Sequence, residues 1–356
     1  MPLPDHTRQS GNAQEGTLRT IAELVETGLV EPAHAADLIP VAERYAVAVT
    51  PYLASLIDRT DPEDPIARQF VPNRSELLSA PDELADPIGD DAHSPLKGIV
   101  HRYPDRVLLK PLHACPVYCR FCFRREQVGP GGDALTGRQL ETALDYIRSH
   151  REIWEVILTG GDPLILSPRR LGAILDALEG ISHVASIRIH TRVPVADPAR
   201  IDDPLIAILR RRKPLWIAIH ANHPKEFTTA AARALARLSE TAAGLLGQTV
   251  LLRGVNDNAG TLEALFRTMV SARIRPYYLH HADMAPGTAH FRVPLAEGRA
   301  IVRQLRGRLS GIAQPTYVLD IPGGFGKVPI GPNMVERDGV RDVHGALHRY
   351  PTQPVD

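Results

Sequence analysis

From residue 106 onward, seven short apolar runs alternate with amphipathic helical stretches, and this alternation leaves the chain very few architectures. The strand-like runs cover 107–109, 154–158, 185–189, 215–219, 249–252, 277–279 and 316–319. Helical stretches lie between them at 137–149, 168–178, 199–211, 225–243, 260–272 and 295–309. The first is opened by Thr136, with Gln139 three residues on as a capping box. Strand followed by helix, repeated, requires parallel strands with right-handed crossovers, hence a doubly wound sheet or a full or partial (β/α) barrel. The strand ends separate the two. They lead into a cysteine loop, Gly160-Gly161-Asp162, His190-Thr191-Arg192, His220-Ala221-Asn222, Arg253 to Asp257, His281 to Asp283, and Asp320 to Lys327. Polar chemistry after nearly every strand suits a barrel whose site gathers those loops, whereas a doubly wound sheet would concentrate it at one switch point.

Upstream, residues 1–16 read as a disordered tail and 17–97 as a helical region with a crossing loop. Leu18, Ile21, Leu24 and Val25 recur at helical spacing until Gly28, a second helical stretch runs through 32–58 with a break near Pro51, and 60–97 is rich in Pro, Asp and Ser. The barrel is expected over 98–330, followed by a short C-terminal tail over 331–356. With 356 residues, 44% of them apolar and 23% charged, the chain can bury a sizeable core. Its 41 Lys and Arg cancel its 41 Asp and Glu, which argues against a nucleic-acid partner. No run of about eighteen apolar residues and no apolar stretch near the start occur, so no membrane association and a cytoplasmic location are expected.

All three cysteines fall within Cys115-Pro-Val-Tyr-Cys119-Arg-Phe-Cys122. A disulfide framework would spread pairs over the chain, so this clustering points to a metal or cofactor in a reducing compartment. Thiolates spaced C-x3-C-x2-C can hold three corners of a [4Fe–4S] cube and leave the fourth iron to a non-protein ligand. The alternative is a structural zinc site with His113 as the fourth ligand, although such sites usually pair two knuckles far apart in sequence. Near the other end stands Asp320-Ile-Pro-Gly323-Gly324-Phe-Gly326-Lys327. It is not a phosphate loop, because Ile321 occupies a required glycine position and Val328 follows the Lys. A glycine-rich turn presenting one Lys can form a Schiff base with a carbonyl cofactor such as pyridoxal phosphate (PLP), and a solvated loop lysine is the plain alternative.

The cysteine spacing, with Phe121 before the last cysteine, and Leu158-Thr-Gly160-Gly161-Asp162-Pro after the second barrel strand resemble the radical S-adenosylmethionine (SAM) enzymes. Together with Gln248-Thr-Val-Leu-Leu-Arg-Gly-Val-Asn-Asp257, Pro276-Tyr-Tyr-Leu-His-His-Ala-Asp283 and the Lys327 loop, they are similar to the lysine 2,3-aminomutase family from about residue 60 to 335. The resemblance implies a partial radical SAM barrel and a [4Fe–4S] cluster on Cys115, Cys119 and Cys122. It also implies SAM at the open iron, contacted by Gly160, Gly161 and Asp162 with His220 nearby. PLP would sit on Lys327, its phosphate held by Arg102, Arg106 and Gln248, with Tyr103 beside the ring. The family loop is usually all glycine before the Lys, so Phe325 departs from it.

In the same resemblance Arg124 grips the substrate carboxylate, a task suited to a planar fork. Asp283 and Asp320 read the side-chain tip, since two carboxylates so placed repel unless a cation such as a lysine ε-ammonium lies between them. The implied reaction is migration of the amino group from C2 to C3 of lysine by a radical path, giving β-lysine. An electron donor such as flavodoxin or ferredoxin would feed it, and a homo-oligomer is left open. Two other readings stand beside this one. The shortness of the chain after Lys327 favours the same chemistry dedicated to β-lysine supply for elongation factor P. A non-catalytic iron–sulfur or zinc scaffold would leave Lys327, Asp283 and Asp320 without roles.

Overall fold

The computed structural model describes residues 16–129, 133–241, 243–337 and 339–349. All but the last residue of the expected N-terminal tail, and the final residues of the C-terminal one, lie outside them. Nine strands lie side by side in chain order: β1 (Ile99–Tyr103), β2 (Arg106–Leu112), β3 (Glu155–Gly160), β4 (Ser186–Thr191), β5 (Leu215–His220), β6 (Gly244–Leu251), β7 (Arg275–His281), β8 (Thr316–Ile321) and β9 (Gly326–Pro329). Strands β2 to β8 run parallel, while β1 and β9 add on antiparallel at the two edges. The order never reverses, so there is no switch point, and β1 and β9 remain separate edges. The sheet is therefore a partial barrel.

Period-two alternation sorts the residues of each strand between two faces. Val156 and Leu158, Ile187 and Ile189, and Ile217 and Ile219 pack into the main core with the surrounding helices. The opposite face carries Lys110, Arg188, His190, His220, Gln248, Tyr278, His280 and Asp320, so an unusually polar set lines the barrel. The helices start where local chemistry allows. Thr136 and Gln139 form the expected capping box on helix Gly137–Ser149, and Ser167, Asp202, Thr228 and Asn258 cap later ones. No helix among the described residues is long and apolar enough to cross a membrane.

Several elements differ from the sequence reading. The helix expected over 225–243 is Thr229–Ser239, and β6 begins at Gly244, not near Thr249. Gly244 and Gly247 in β6 provide packing space: a Cβ on Gly244 would lie 2.3 Å from the Trp216 ring, and one on Gly247 2.6 Å from Met269 Sδ. Strands β1 and β9 are short and carry little apolar pattern. Beyond them, Val335–Glu336, Gly339–Arg341 and Leu347–His348 form a small antiparallel sheet where only a tail was expected.

The N-terminal region consists of short helices, Ile21–Glu26, Ala35–Arg44, Pro51–Leu56 and Pro65–Phe70. Leu24, Val41, Leu53, Ile66 and Phe70 form a second core, which extends onto Val117 and Tyr118 between the cysteines. This packing brings the N-terminal helices against the cysteine loop.

Candidate active site

The loop after β2 carries Cys115, Cys119 and Cys122. Burial pushes all three thiols up, Cys119 to about 12, and Cys122 as a potential anion raises both Cys115 and Cys119 further. Three buried thiolates would need a cationic partner, and iron supplies one. Among the described residues, no three His, Cys, Asp or Glu donors converge on one point as a single zinc ion would need, His113 included. A cube that spreads its irons over several corners fits the donor set better.

The loop is clamped from outside by Glu76, which is fully buried in a 3-10 turn spanning Arg74–Leu77. Its carboxylate accepts from Arg120 Nε at 2.9 and 3.0 Å and Nη2 at 2.5 Å, and from Arg125 Nη2. Arg120 also donates to Ala46 O at 2.6 Å, and Arg125 to Gly287 O at 3.0 Å. One carboxylate thus ties the N-terminal region, both flanks of the last cysteines and the loop after β7.

The Gly-Gly-Asp turn lies directly against the cysteine loop. A Cβ on Gly161 would fall 1.9 Å from Ala114 O, so only glycine allows this approach. Asp162 behaves differently from expectation. Its buried carboxylate accepts from Leu164 N at 3.0 Å, Thr191 Oγ1 at 2.8 Å and Arg192 N at 2.7 Å. It faces into the protein and holds the turn. Arg192 carries the network on to Gln69 and Glu226, each at 2.7 Å. His220 stands edge-on to Phe121, with ring centroids 5.8 Å apart, and burial pulls its pKa down to about 3, so it is neutral.

At the far side of the barrel, Lys327 Nζ is ion-paired with Asp320 and lies 3.3 Å from His280 Nδ1. Its backbone N–H donates to Tyr103 OH at 2.7 Å, and its ammonium stands 5.7 Å from the centre of the Tyr278 ring. Gln248 is the register partner of Tyr278. Arg106 stacks over the Tyr103 ring at 3.8 Å and pairs with Asp105 at 2.6 Å. The preceding turn has Gly324 at φ +85°, and Gly89 comes so close that a Cβ there would meet Gly324 N at 2.4 Å. Phe325 is 80% exposed and points away from this cluster, so the departure from an all-glycine loop does not intrude on it. Asp283 is half-buried, and its carboxyl is pushed up to about 7, first by desolvation and then by the Asp320 charge.

Asp90, which the sequence reading passed over, lies at the centre. Its Oδ2 accepts from Arg124 Nη2 at 2.7 Å and Nε at 3.1 Å, and its Oδ1 lies 3.3 Å from Arg102 Nη2. Arg102 also donates to Ile88 O at 2.5 Å and stands 4.0 Å from Asp320. Arg102 Nε, His190 Nε2 and His220 Nε2 are buried without a hydrogen-bond partner. Orphaned buried polar atoms are costly, and a polar ligand within reach of these three would satisfy them. The structure brings Arg102, Tyr103, Asp320 and Lys327 together at one end, and the cysteines, Gly160, Gly161 and His220 at the other, with Arg124 and Asp90 between.

Residues 109–259 match the radical SAM superfamily, and residues 302–351 match the lysine-2,3-aminomutase C-terminal family. The chain is 41% identical over 315 residues to the L-lysine 2,3-aminomutase of Clostridium subterminale, spanning 87% of this chain and 76% of that one. It is 42% identical to the L-lysine 2,3-aminomutase of Methanococcus maripaludis, across 88% and 73% of the two chains. It is also 36% identical to the glutamate 2,3-aminomutase of Clostridioides difficile, across 84% and 71%. With the partial barrel and its three-cysteine loop, these likenesses place the chain in the lysine 2,3-aminomutase family of radical SAM proteins.

Proposed function

We propose that the chain is a PLP-dependent radical SAM aminomutase that moves the amino group of L-lysine from C2 to C3, forming β-lysine. One observation carries the choice of substrate: an ammonium on a flexible lysine stem, that of Lys327, already sits against Asp320, with half-buried Asp283 electrostatically coupled to the same carboxylate. A subsite of two carboxylates accepts the ε-ammonium of lysine and repels the γ-carboxylate of glutamate.

When bound, the cluster and SAM supply a carbon radical, and PLP supplies the π-bond across which nitrogen migrates. Cys115, Cys119 and Cys122 hold the cluster, and the Gly160–Gly161 backbone and neutral His220 flank SAM. Lys327 carries PLP, with Arg102, Arg106 and Gln248 on its phosphate and Tyr103 beside its ring. Arg124 takes the substrate carboxylate. An external one-electron donor completes the set.

Anaerobic reconstitution with iron, sulfide, PLP, SAM and a reductant, followed by chromatography of products, should show β-lysine from lysine and no turnover of glutamate or arginine. Turnover of glutamate in preference to lysine would reject the substrate. Reduction with borohydride should fix PLP on the peptide that contains Lys327. Label on Lys110, the other lysine inside the barrel, would reject that assignment.

A further inference from the structure

The barrel holds a second buried lysine that none of these roles uses. Lys110 follows Arg106 and Leu108 on the inner face of β2 and is only 6% exposed. Its stem lies against Gly160, where a Cβ would come within 2.9 Å. Its Nζ is 3.9 Å from Asp90 Oδ2, beyond hydrogen-bond range, and that same oxygen is held by Arg124 at 2.7 Å. Asp90 therefore faces three cations, Arg102, Lys110 and Arg124, while the neighbouring Asp86 carboxylate is taken up by the backbone N–H groups of Asp90 and Asp91. Asp320 is engaged by Lys327, and Asp283 is near the midpoint of its titration at neutral pH. Burial and the Arg124 guanidinium lower the pKa of Lys110 by more than Asp90, Asp91 and Asp86 raise it. Among the described residues the Lys110 ammonium donates no hydrogen bond, and an anion placed between it and Arg124 would supply the missing acceptor.

We propose that Lys110 and Arg124 together receive an α-amino-acid carboxylate, Arg124 through its fork and Lys110 as a second cation, with Asp90 as the positioning residue that orients both. The inference rests on the aminomutase reading above. Two ligands of that reaction end in such a carboxylate, the amino-acid substrate and the methionine part of SAM, and the recognition chemistry is the same for either.

The test uses the reconstituted holoenzyme. Lys110→Met removes the charge at nearly constant volume. If the substrate is the guest, KM for lysine should rise about ten- to a hundredfold with kcat little changed, as expected for loss of one charge-assisted contact. Lysinamide, which lacks the carboxylate charge, should then bind wild type and variant alike. If SAM is the guest, its dissociation constant by equilibrium dialysis should rise by a similar factor while KM for lysine stays put. Either result supports the proposal, and Lys110→Gln repeats the comparison should the Met variant not fold. Unchanged KM and unchanged SAM affinity, in a variant that keeps its iron and PLP, would overturn it. A wild type that turns over no lysine would instead overturn the functional reading, and the dialysis arm would still judge Lys110.

Discussion

Replacing Glu76 by Ala should destabilise the protein by about 3–5 kcal/mol, the usual cost of removing one member of a buried ion pair. Glu76, Arg120 and Arg125 are each at most 2% exposed, so the two guanidinium groups would lose their shared anion where water cannot replace it. Arg125 has a further contact over the Tyr45 ring at 3.5 Å, and Arg120 one with Ala46 O, but neither is an anion. Glu76→Gln keeps the shape and should still cost a large part of this, which separates charge from packing. Chemical denaturation of the iron-free protein gives the stability change directly. Because the same arginines flank Cys119 and Cys122, iron bound per chain after reconstitution should also fall. Unfolding midpoints within experimental error of wild type would show that the clamp carries no net stability.

The second large effect concerns the carboxylate pair. Asp283→Asn should lower kcat/KM for lysine about ten- to more than a hundredfold, the worth of one charge-assisted contact of roughly 1.5–3 kcal/mol. Asp320→Asn should cost at least as much. It also removes the ion-pair partner of Lys327 and a neighbour of Arg102, so PLP content should drop in this variant and not in Asp283→Asn.

The pH dependence has a definite sign. With its carboxyl at about 7 in the free protein, Asp283 must lose a proton to meet an ammonium. On the acid side kcat/KM should therefore fall up to about tenfold per pH unit below about 7, then level off above it, and Asp283→Asn should lack this limb. Stability moves the other way. Between the ordinary carboxylate range, near 4, and about 7 the folded chain holds this proton more tightly than the unfolded chain, so stability declines as pH rises through that window and is flat beyond it. Asp283→Asn should accordingly gain on the order of a few kcal/mol over wild type at pH 8, and little below pH 4. Norleucine, which lacks the ammonium, checks specificity. A double Asn variant that still prefers lysine over norleucine as strongly as wild type would show the pair to be structural.

The parts of the site legible in the sequence are those written as local strings: the cysteine loop, the two glycine turns and the polar residues that end apolar strands. Their order along the chain becomes their order around the barrel, because each strand pairs with the next. Asp90, Glu76 and Gln69 could not be found this way. They come from a Pro- and Asp-rich connection with no period, and they act across long separations, 34 residues from Asp90 to Arg124 and 123 from Gln69 to Arg192. Lys110 did leave a signal, a lone charge within the run Val107-Leu-Leu-Lys-Pro-Leu112 at an inward strand position. The start of β6 was hidden for a different reason: Gly244 and Gly247 serve their neighbours' side chains and say nothing local about a strand.

The cysteine loop belongs to two separate cores, Val117 and Tyr118 to the N-terminal one, and Phe121 to a cluster with Leu252, Val255, Ala282 and Phe291. Its Glu76 clamp also reaches, through Arg125, to Gly287, 162 residues further along. The loop therefore lacks its final shape while the ribosome is still making the strands beyond it. Iron acquisition is expected to wait until the segment around Gly287 has been made, so a cell short of cluster-assembly capacity should accumulate a folded, cluster-free protein and not nascent-chain aggregates. The timing of metallation would then be set by the most distant partner of the loop, not by the ligands themselves.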